Sequence, residues 1–483
     1  MAPSRPERFD VVVVGAGPAG VTASLRAARL GAKTALITHD EFGGMAANDG
    51  PVPVRTLAQA ARLMREARQL PRFGITGGQL SLNYPELLAR VNEVTADARQ
   101  HSLLRGDLEH AGVTIHERAG SARFLDPHTL ESDAVPAMRA ERVILCPGGT
   151  SRRLDVPGFE LTATHSDAWH LSSVPPSLLV IGAGATGVQV ASIFNEFGSR
   201  VSLVEVAPRI LMSEDEDVSK AISAAMRASG IDVTENAAPI ERFERTQSGA
   251  CLIQSTNGAE QRLEATLAVV AVGWAAATVK LDLDRAGVRT DHRGYVEVDS
   301  QLRTTVPHVF AAGDVTGRAM VVHEAVREGF VAATNAVLDA TVPLSAQPSP
   351  IGSFTDPEYA SVGLSEAAAR ASHDVVVANV GFDSLPRPII DGRTIGFCKL
   401  IVDRRLERVL GCHIVGERAV ELAQLAATAI AAEMRVDQLA LVPFSFPTYA
   451  NALGRAAAVA AVELHGNTWA VAHLVTPEEV GVP

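Results

Sequence analysis

Cysteine is scarce in this sequence. Four occur among 483 residues, at Cys146, Cys251, Cys398 and Cys412, and none stands in a CxxC or another close pair. Their spacing predicts neither a disulfide framework nor a zinc site, and we expect no bound metal. We interpret all four as small residues of the hydrophobic core.

Basic and aromatic residues are also few. The chain has 43 Lys and Arg against 55 Asp and Glu, a formal net charge of −12, and only 5% aromatic residues. A nucleic-acid site needs a basic surface to neutralise phosphates, and often aromatic rings that stack on bases. Nucleic acid is therefore not an expected partner.

Long apolar runs are missing as well. No stretch reaches the roughly 18 residues that are needed to span a bilayer. The N-terminal MAPSRPERFD leads directly into the short run VVVV, and no cleavage-site pattern follows. We therefore predict no membrane partner and a cytoplasmic location.

Two segments, by contrast, each combine a strand, a glycine-rich turn and a helix. FDVVVVGAGPAG and LLVIGAGATG both carry G-x-G-x-x-G after a β-branched or aliphatic run. The first glycine permits a tight turn, the second lets the backbone approach a pyrophosphate, and the third lets the helix pack on the strand. Two such dinucleotide sites in one chain imply hydride transfer between two bound cofactors.

The second unit carries a signal for the kind of cofactor. Its second strand, VSLVE, ends at Glu205. A carboxylate at this position accepts hydrogen bonds from the ribose hydroxyls of NAD and repels the 2′-phosphate of NADP. We therefore expect NADH to be preferred over NADPH, with the nearby Arg209 as the group that argues the other way.

Other patterns predict further elements. Apolar spacing predicts helices over about residues 53–68 and 84–111, and alternation in residues 112–132 is typical of a β-meander. RVILCPG is expected to form a short buried strand. Towards the C-terminus, the strand patterns GFCKLIVD and LGCHIVG precede two Ala-rich helices, ELAQLAATAIAAEM and NALGRAAAVAAVEL.

Three further segments complete a known pattern. TTVPHVFAAGDVTG, MVVHEA and FTDPEYASVGLSE follow the glycine motifs in the order seen in the pyridine nucleotide-disulfide oxidoreductase flavoproteins. From about residue 9 to residue 466 the chain resembles this family, which includes dihydrolipoamide dehydrogenase, mercuric reductase and soluble transhydrogenases. The resemblance implies a homodimer with an α/β fold: two Rossmann-like three-layer domains for FAD and NAD, and an α+β C-terminal dimerisation domain.

Domain boundaries follow from the same resemblance. FAD-binding residues 1–155 and 283–345 flank NAD-binding residues 156–282, the dimerisation domain covers 346–465, and a tail takes up 466–483. Asp314 stands in the place of the ligand of the flavin ribitol. Thr38 replaces the Glu that usually ends the first unit, Arg55 replaces a Lys beside flavin N5, and Gln189 replaces the Glu that pairs with that Lys.

The resemblance thereby assigns two cofactor sites. The FAD site is expected at Gly15, Gly17, Pro18, Ala19, Gly20, Thr38, Gly43, Gly44, Arg55, Gly120, Ala122, Pro147, Gly148, Gly313, Asp314, Met320, Val321, Val322, His323 and Ala325. The NAD site is expected at Gly182, Gly184, Ala185, Thr186, Gly187, Gln189, Glu205 and Gly273.

The segment that carries the redox disulfide in this family is altered. Here it reads GGMAANDGPVPVRTL, with Ala46 and Pro51 at the two cysteine positions, so dithiol–disulfide exchange is impossible there. The C-terminal PFSFPTYAN likewise has Phe446 and Asn451 where the family has His and Glu. We therefore expect NADH to reduce FAD, and the flavin to reduce a small non-disulfide acceptor such as a quinone.

The acceptor is expected between two subunits, next to the flavin. The predicted pocket consists of Ala46, Pro51, Phe444, Phe446, Thr448 and Asn451, and the candidate catalytic residues are Arg55, Gln189 and Phe446. Two alternatives within this class are a pyridine nucleotide transhydrogenase and an NADH oxidase. An alternative of another class is a non-catalytic sensor or scaffold that binds flavin or NAD.

Overall fold

The computed structural model describes residues 6–466, except residues 79, 103 and 257. Apart from Gly466, the predicted tail lies outside the described residues. Three sheets with their helices make up most of the described chain, and the first of them is built around the first glycine motif. Its elements are β1 (Glu7–Val14), α1 (Pro18–Arg29), β2 (Thr34–Ile37), α2 (Gly44–Asn48), α3 (Pro51–Gln69), α4 (Tyr84–Asp97), α5 (Arg105–His110), β3 (Thr114–His116), β4 (Arg123–Asp126), β5 (Thr129–Glu131) and β6 (Met138–Leu145).

The first sheet has the strand order β3-β2-β1-β6-β5-β4. Strands β1, β2, β3 and β6 run parallel, whereas β4 and β5 pair antiparallel with each other and β5 with β6. The run Val11 to Val14 is buried along its whole length, as a central parallel strand with helices on both faces requires. This explains why β1 reads as a continuous apolar run instead of alternating.

Two sequence-based predictions in this region were wrong in part. The helix expected over residues 84–111 is broken: α4 ends at Asp97, a single wide turn covers Ala98–Ser102, and Leu104 takes a positive φ of 58° before α5 begins. The expected meander is also divided, because β3 joins the sheet edge parallel to β2 and only β4 and β5 form an antiparallel hairpin. The helix predicted over about residues 53–68 is present as α3, which begins two residues earlier, at Pro51.

The second sheet surrounds the second glycine motif. Its elements, with those that adjoin it, are β7 (Gly149–Ser151), β8 (Ala163–Thr164), α6 (His165–Ala168), β9 (Ser177–Ile181), α7 (Ala185–Glu196), β10 (Arg200–Val204), α8 (Glu216–Ala228), β11 (Asp232–Thr234), β12 (Ile240–Arg245), β13 (Ala250–Thr256), β14 (Ala259–Ala265), β15 (Leu267–Val270) and β16 (Trp274–Ala276). The order β11-β10-β9-β15-β8 is parallel throughout. Strands β12 to β14 form a separate antiparallel sheet, and β7 pairs with β16.

The chain then returns to the first sheet. After α9 (Leu283–Ala286), strand β17 (Val309–Ala311) pairs parallel with β6, and α10 (Val322–Leu338) packs against α1. This return is what brings the GDVTG segment next to the first glycine motif, although almost three hundred residues separate them in sequence.

The C-terminal region is an antiparallel sheet covered by helices. Its elements are β18 (Ile351–Ser353), β19 (Tyr359–Gly363), α11 (Glu366–Arg370), β20 (Val375–Gly381), α12 (Pro386–Asp391), β21 (Phe397–Asp403), β22 (Val409–Val415), α13 (Ala419–Ala431), α14 (Val436–Ala440) and α15 (Asn451–His465). The order is β18-β19-β22-β21-β20. Alanines make up much of α13 and α15 because both helices pack closely against this sheet. The expected α/β fold with an α+β C-terminal domain is confirmed.

The four cysteines are buried, as the sequence analysis predicts. Cys146, Cys251, Cys398 and Cys412 are all buried and unbonded, and the Sγ atoms of Cys398 and Cys412 lie 3.9 Å apart on neighbouring strands. Within the described part of the chain, no helix is both long and apolar enough to cross a membrane.

Candidate active site

The first glycine turn forms a cradle that excludes side chains from two of its positions. Gly15 has a φ of 102°, and a Cβ there would lie 2.0 Å from the carbonyl oxygen of Cys146. A Cβ on Gly20 would lie 1.8 Å from the carbonyl oxygen of Gly15, so only glycine lets α1 approach β1 this closely. At Gly17 the nearest atom to such a Cβ is 4.0 Å away, which leaves open space where a phosphate would lie.

Helix α1 points its amino end at this open space. Gly17 is the N-cap residue, Pro18 occupies the first turn, and the first turn holds no acidic residue. The free N–H groups and the helix dipole there favour an anion. The arrangement fits the pyrophosphate of a dinucleotide.

The second glycine turn repeats this geometry in the second sheet. Gly182 has a φ of 94°, and a Cβ on Gly187 would lie 1.8 Å from the carbonyl oxygen of Gly182. A Cβ on Gly184 would meet nothing within 4 Å. Ala185 and Thr186 open α7, whose first turn also lacks acidic residues. Two anion cradles of one design therefore lie in one chain.

The carboxylate of Glu205 is already tied to the second turn. Its Oε2 accepts the backbone N–H of Ala183 at 2.7 Å, and its Oε1 accepts that of Ala207 at 2.8 Å. This fixes a negative charge at the end of β10, beside the glycine turn. Arg209 does not counter it, since its guanidinium donates to the backbone carbonyls of Leu211, Met212 and Glu214.

The end of β2 in the first unit offers much less. Thr38 is only 6% exposed, and its backbone is held by the N–H of Ala119 and the carbonyl of His116. A buried hydroxyl takes the place that a carboxylate holds in the second unit. The two cradles thus differ at the end of the strand that follows the glycine turn and its helix, β2 in the first unit and β10 in the second.

The GDVTG segment closes the first cradle from the other side. Gly313 donates its N–H to Oε2 of Glu328 at 2.7 Å, and a Cβ on Gly313 would lie 3.1 Å from the Cβ of Ala19 and 3.7 Å from that of Ala325. Asp314 follows directly and is half-buried, and burial raises its pKa. Burial also raises the pKa of Glu328, to about 7.

The remaining predicted FAD residues lie at the start of α10, beside the first glycine turn, in turns with positive φ, and in the hydrophobic core. At the start of α10, Met320 has a φ of 52°, Val321 is the N-cap residue, and Val322 begins the helix, with the His323 Nε2 2.6 Å from Ser349 Oγ. Gly43 and Gly44 lie against the first turn, because Gly43 donates to the carbonyl of Ala16 at 3.0 Å and a Cβ on Gly44 would lie 2.6 Å from the Gly17 Cα. Pro147 packs against Gly15. Positive φ angles occur at Gly120 and Gly148, and also at Gly273 of the predicted NAD site. Ala122 differs from these residues, since it is 7% exposed and packs in the hydrophobic core.

The altered redox segment forms α2, a short turn and the start of α3. Ala46 is half-buried and Pro51 is exposed. Arg55 stacks on the ring of Phe354, and burial lowers its pKa to about 10 in spite of the nearby Glu358. Gln189 donates to the carbonyl of Ala185 in its own helix at 3.1 Å. Arg55 therefore faces the C-terminal domain, whereas the Gln189 side chain is hydrogen-bonded within its own helix, α7.

Beside Arg55 lies a charged cavity of about 220 Å³ that was not foreseen from the sequence. It separates α3 from the loop around Asp356 and from α13. Arg62 pairs with Glu417 at 2.5 Å and Arg65 with Asp356 at 3.1 Å, and Arg393 pairs with both carboxylates. The only sequence signal was the spacing of Arg62, Arg65 and Arg68 on one face of α3. Because the charges are paired, we interpret the cluster as a joint between domains.

Of the two phenylalanines in the predicted acceptor pocket, only one has an exposed ring. Phe446 is 74% exposed in the single chain. Phe444 instead is half-buried and packs against the core of the C-terminal domain, since a Cβ on Gly454 would lie 2.4 Å from its ring. Thr448 donates to the carbonyl of Ser445 at 2.7 Å, and Asn451 begins α15. We therefore withdraw Phe444 from the expected acceptor pocket.

Comparisons with known proteins agree with this architecture. Residues 9–329 match the family described as pyridine nucleotide-disulphide oxidoreductase, and residues 349–457 match the dimerisation domain of that family. A dihydrolipoyl dehydrogenase of Zymomonas mobilis is 31% identical over 455 residues, which are 92% of this chain and 97% of that protein. A mercuric reductase of Bacillus cereus is 29% identical over 434 residues, 89% of this chain and 68% of that protein.

A solved structure shares the fold. The HOCl-induced flavoprotein disulfide reductase RclA from Escherichia coli superposes with a TM-score of 0.82 at 24% identity, covering 92% of this chain and 98% of that one. Within the described residues, no group of three or more His, Cys, Asp or Glu side chains is placed to hold a metal ion.

Proposed function

Since this chain belongs to the pyridine nucleotide-disulphide oxidoreductase family and is an FAD-dependent NAD(P)H oxidoreductase, we propose that it passes electrons from NADH through FAD to a non-disulfide acceptor such as a quinone. The family membership and the enzyme class were both expected from the motifs. The nature of the acceptor is the new element.

The observation that carries the proposal is the absence of cysteine from the redox segment. Residues 43–57 contain no cysteine, and all four cysteines of the sequence lie elsewhere and are buried. A dithiol needs an accessible thiolate to attack a disulfide. Electrons that reach the flavin must therefore leave it for an acceptor that needs no protein thiol.

The residues of the first cradle fit FAD. The open space at Gly17, the amino end of α1 and the acidic Asp314 on the opposite side suit a pyrophosphate followed by a polyol. When bound, FAD supplies hydride-transfer chemistry between NADH and the second acceptor. The protein binds and orients both dinucleotides through neutral backbone N–H groups.

The second cradle supports a preference for NADH. Glu205 holds its negative charge beside the ribose end of the site, where a 2′-phosphate would be repelled. Arg209 is the nearest candidate for binding such a phosphate, but its guanidinium already donates hydrogen bonds to three backbone carbonyls. Both observations point to NAD.

The acceptor site is proposed to be shared in a homodimer located in the cytoplasm. The match to the dimerisation domain supports the pairing of two chains. Phe446 is an exposed ring on a loop of that domain. In a dimer of this family type, Phe446 of the partner subunit would face Ala46 and Pro51 and stack on a planar small molecule.

One experiment separates the candidate functions. The purified protein is expected to be yellow, to bleach with NADH in the absence of air, and to regain its colour on addition of a quinone. Steady-state assays with NADH then compare quinones, dyes, oxygen, thio-NAD and lipoamide. Turnover of thio-NAD alone would identify a transhydrogenase, and turnover of oxygen alone an NADH oxidase. Bound flavin that NADH does not reduce would identify a sensor or scaffold, and lipoamide turnover would contradict the proposal.

A further inference from the structure

A carboxylic acid occupies the turn between the two positions that lack cysteine. Asp49 lies between Ala46 and Pro51, in the link from α2 to α3. Its Oδ2 accepts a short hydrogen bond from the Oγ of Ser166, a residue of α6. Its Oδ1 is buried and has no hydrogen-bond partner among the described protein groups. This acid is not used by the dinucleotide cradles.

The hydrogen bond to Asp49 is the first of three in a row. The Oγ of Ser166 lies 3.4 Å from Nε2 of His165, and Nδ1 of His165 lies 3.1 Å from the Oγ of Ser151. His165 is 3% exposed and packs edge-on against the ring of Trp274. The row therefore runs from the redox segment through α6 to β7, where Ser151 is half-buried.

The three hydrogen bonds are consistent with two opposite orientations. A neutral imidazole has one donor and one acceptor nitrogen. If Asp49 is ionised, Ser151 donates to Nδ1, Nε2 donates to Ser166, and Ser166 donates to the carboxylate. If Asp49 is protonated, every one of these bonds is reversed. Moving one proton along the row converts one orientation into the other.

The surroundings keep the imidazole neutral, as such a transfer requires. Burial lowers the pKa of His165 to about 4, and the charge of Asp167 opposes this only in part. The imidazole therefore passes a proton on at neutral pH instead of retaining it.

The surroundings of Asp49 favour its protonated form. A buried carboxylate with one bonded oxygen and one bare oxygen loses much of its hydration. Burial raises the pKa of Asp49; the hydrogen bond from Ser166 and the charge of His170 act in the opposite direction, and the charge of Asp167 acts with burial. Both charged neighbours belong to the α6 region and are exposed.

We propose that Asp49, Ser166, His165 and Ser151 form a proton relay that serves reduction of the acceptor beside the redox turn. The inference rests on the proposed function, because a quinone-type acceptor takes up a hydride equivalent and a proton: NADH, a quinone and one proton give NAD and a hydroquinone. The O–H bond of Asp49 breaks and an O–H bond forms on the acceptor. A water bound at the bare Oδ1 would carry the proton over this last step.

The relay then restores the acid. Asp49 takes a proton from Ser166, Ser166 takes one from Nε2 of His165, and Nδ1 of His165 takes one from Ser151. Water at the half-buried Ser151 replaces that last proton. The acid thus supplies, without sulfur, the proton that a dithiol would otherwise hold at this place.

The first test needs no cofactor. Infrared spectra of the protein with 13C-labelled aspartate are compared for the wild type, Asp49→Asn and Ser166→Ala. We expect a protonated carboxyl band that persists to higher pH than that of an exposed aspartate, and that is lost in D49N and shifted in S166A. Asp40→Asn is the matched control, because the Asp40 side chain is 81% exposed and contacts His39 instead of the relay residues. If D49N retains every carboxyl band of the wild type, the relay proposal is wrong.

The second test separates the two half-reactions. D49N keeps the size and hydrogen-bonding ability of the side chain, so it should slow oxidation of the reduced enzyme by a quinone about a hundredfold and remove its solvent isotope effect. Reduction by NADH should stay unchanged, and D40N should resemble the wild type in both steps. An unchanged quinone step in D49N would contradict the relay alone. A wild-type enzyme that no quinone reoxidises would contradict the proposed function. The infrared spectra would still test the protonation of Asp49 independently of turnover.

Discussion

The dinucleotide cradles and the redox segment use different kinds of atoms, and the contrast explains why one is complete and the other altered. The cradles consist of backbone: Gly15, Gly20, Gly182 and Gly187 leave no room for a Cβ, and helix N–H groups face the open space. The redox segment depends on a few side chains, and none of its residues is a cysteine. The fold can therefore keep its cofactor sites while the acceptor chemistry changes.

The largest expected effect comes from filling a cradle. Gly20→Ala would place a Cβ 1.8 Å from the carbonyl oxygen of Gly15, which forces α1 away from β1. We expect FAD affinity to fall roughly a hundredfold, in line with the cost of overpacking, so that G20A is purified colourless. Gly187→Ala should instead keep the flavin and lose its reduction by NADH.

The control for both variants is Gly106→Ala in α5, where a Cβ would meet nothing within 4 Å. It should retain flavin and NADH reduction alike. Absorbance of the bound flavin and anaerobic stopped-flow reduction measure the two properties separately. A yellow G20A, or a G187A that NADH reduces normally, would remove the contrast between the two cradles.

Local patterns were sufficient to predict the cradles, because strand, turn and helix are contiguous there. Features that depend on distant parts of the chain were not predicted. Phe444 was assigned to the acceptor pocket, but its ring packs on Gly454 of α15. The stacking of Arg55 on Phe354 likewise requires the C-terminal domain to be in place, and the position of Arg55 beside the flavin stays a prediction.

The secondary structure shows the same limit. The helical pattern of residues 84–111 is continuous, yet the backbone leaves it at Asp97 and turns at Leu104. Strand β3 follows a local alternation, but its parallel pairing with β2 depends on the sheet. The relay residues Asp49, Ser166 and His165 come from two distant segments and only meet in the fold.

The next effect concerns the choice of dinucleotide. Glu205→Gln removes the charge at the end of β10 while keeping a group that can accept the N–H of Ala183. We expect the wild type to favour NADH and E205Q to lose roughly tenfold of that preference, within the range that one polar contact provides. The ratio of kcat/KM for NADH and NADPH measures it.

Arg209→Ala serves as the comparison for Glu205. Because the guanidinium of Arg209 is taken up by backbone carbonyls, R209A should leave the ratio nearly unchanged. A wild type that favours NADPH, or a loss of NADPH activity in R209A, would show that Arg209 turns towards a phosphate. The second cradle would then present the positive charge of Arg209 to the 2′-phosphate of NADPH.

A smaller effect is expected on the acceptor side. Phe446→Ala removes an exposed ring, and ring stacking contributes about 0.5–1.5 kcal/mol. We therefore expect KM for a quinone to rise about twofold to tenfold, while flavin reduction by NADH stays the same. Phe444→Leu is the matched variant, because Phe444 packs inward and should affect stability more than KM. Slower reduction by NADH in F446A would mean that the acceptor pocket has been misplaced.

The smallest effect, and the sharpest test of the contrast, is expected from blocking thiols. All four cysteines are buried, and burial raises the pKa of Cys146, so that its reactive thiolate is scarce at neutral pH. Treatment with N-ethylmaleimide, with or without prior reduction by NADH, should leave quinone turnover within experimental error. Mass spectrometry after the same treatment in denaturant, where four labels are expected, shows that the reagent was active. If activity instead declines in step with the labelling of one cysteine in the folded enzyme, a thiol has been recruited from elsewhere in the chain. Reduction of the acceptor would then depend on a protein thiol, as it does in the disulfide reductases of this family. The loss of cysteine from residues 43–57 would no longer distinguish the acceptor side chemically.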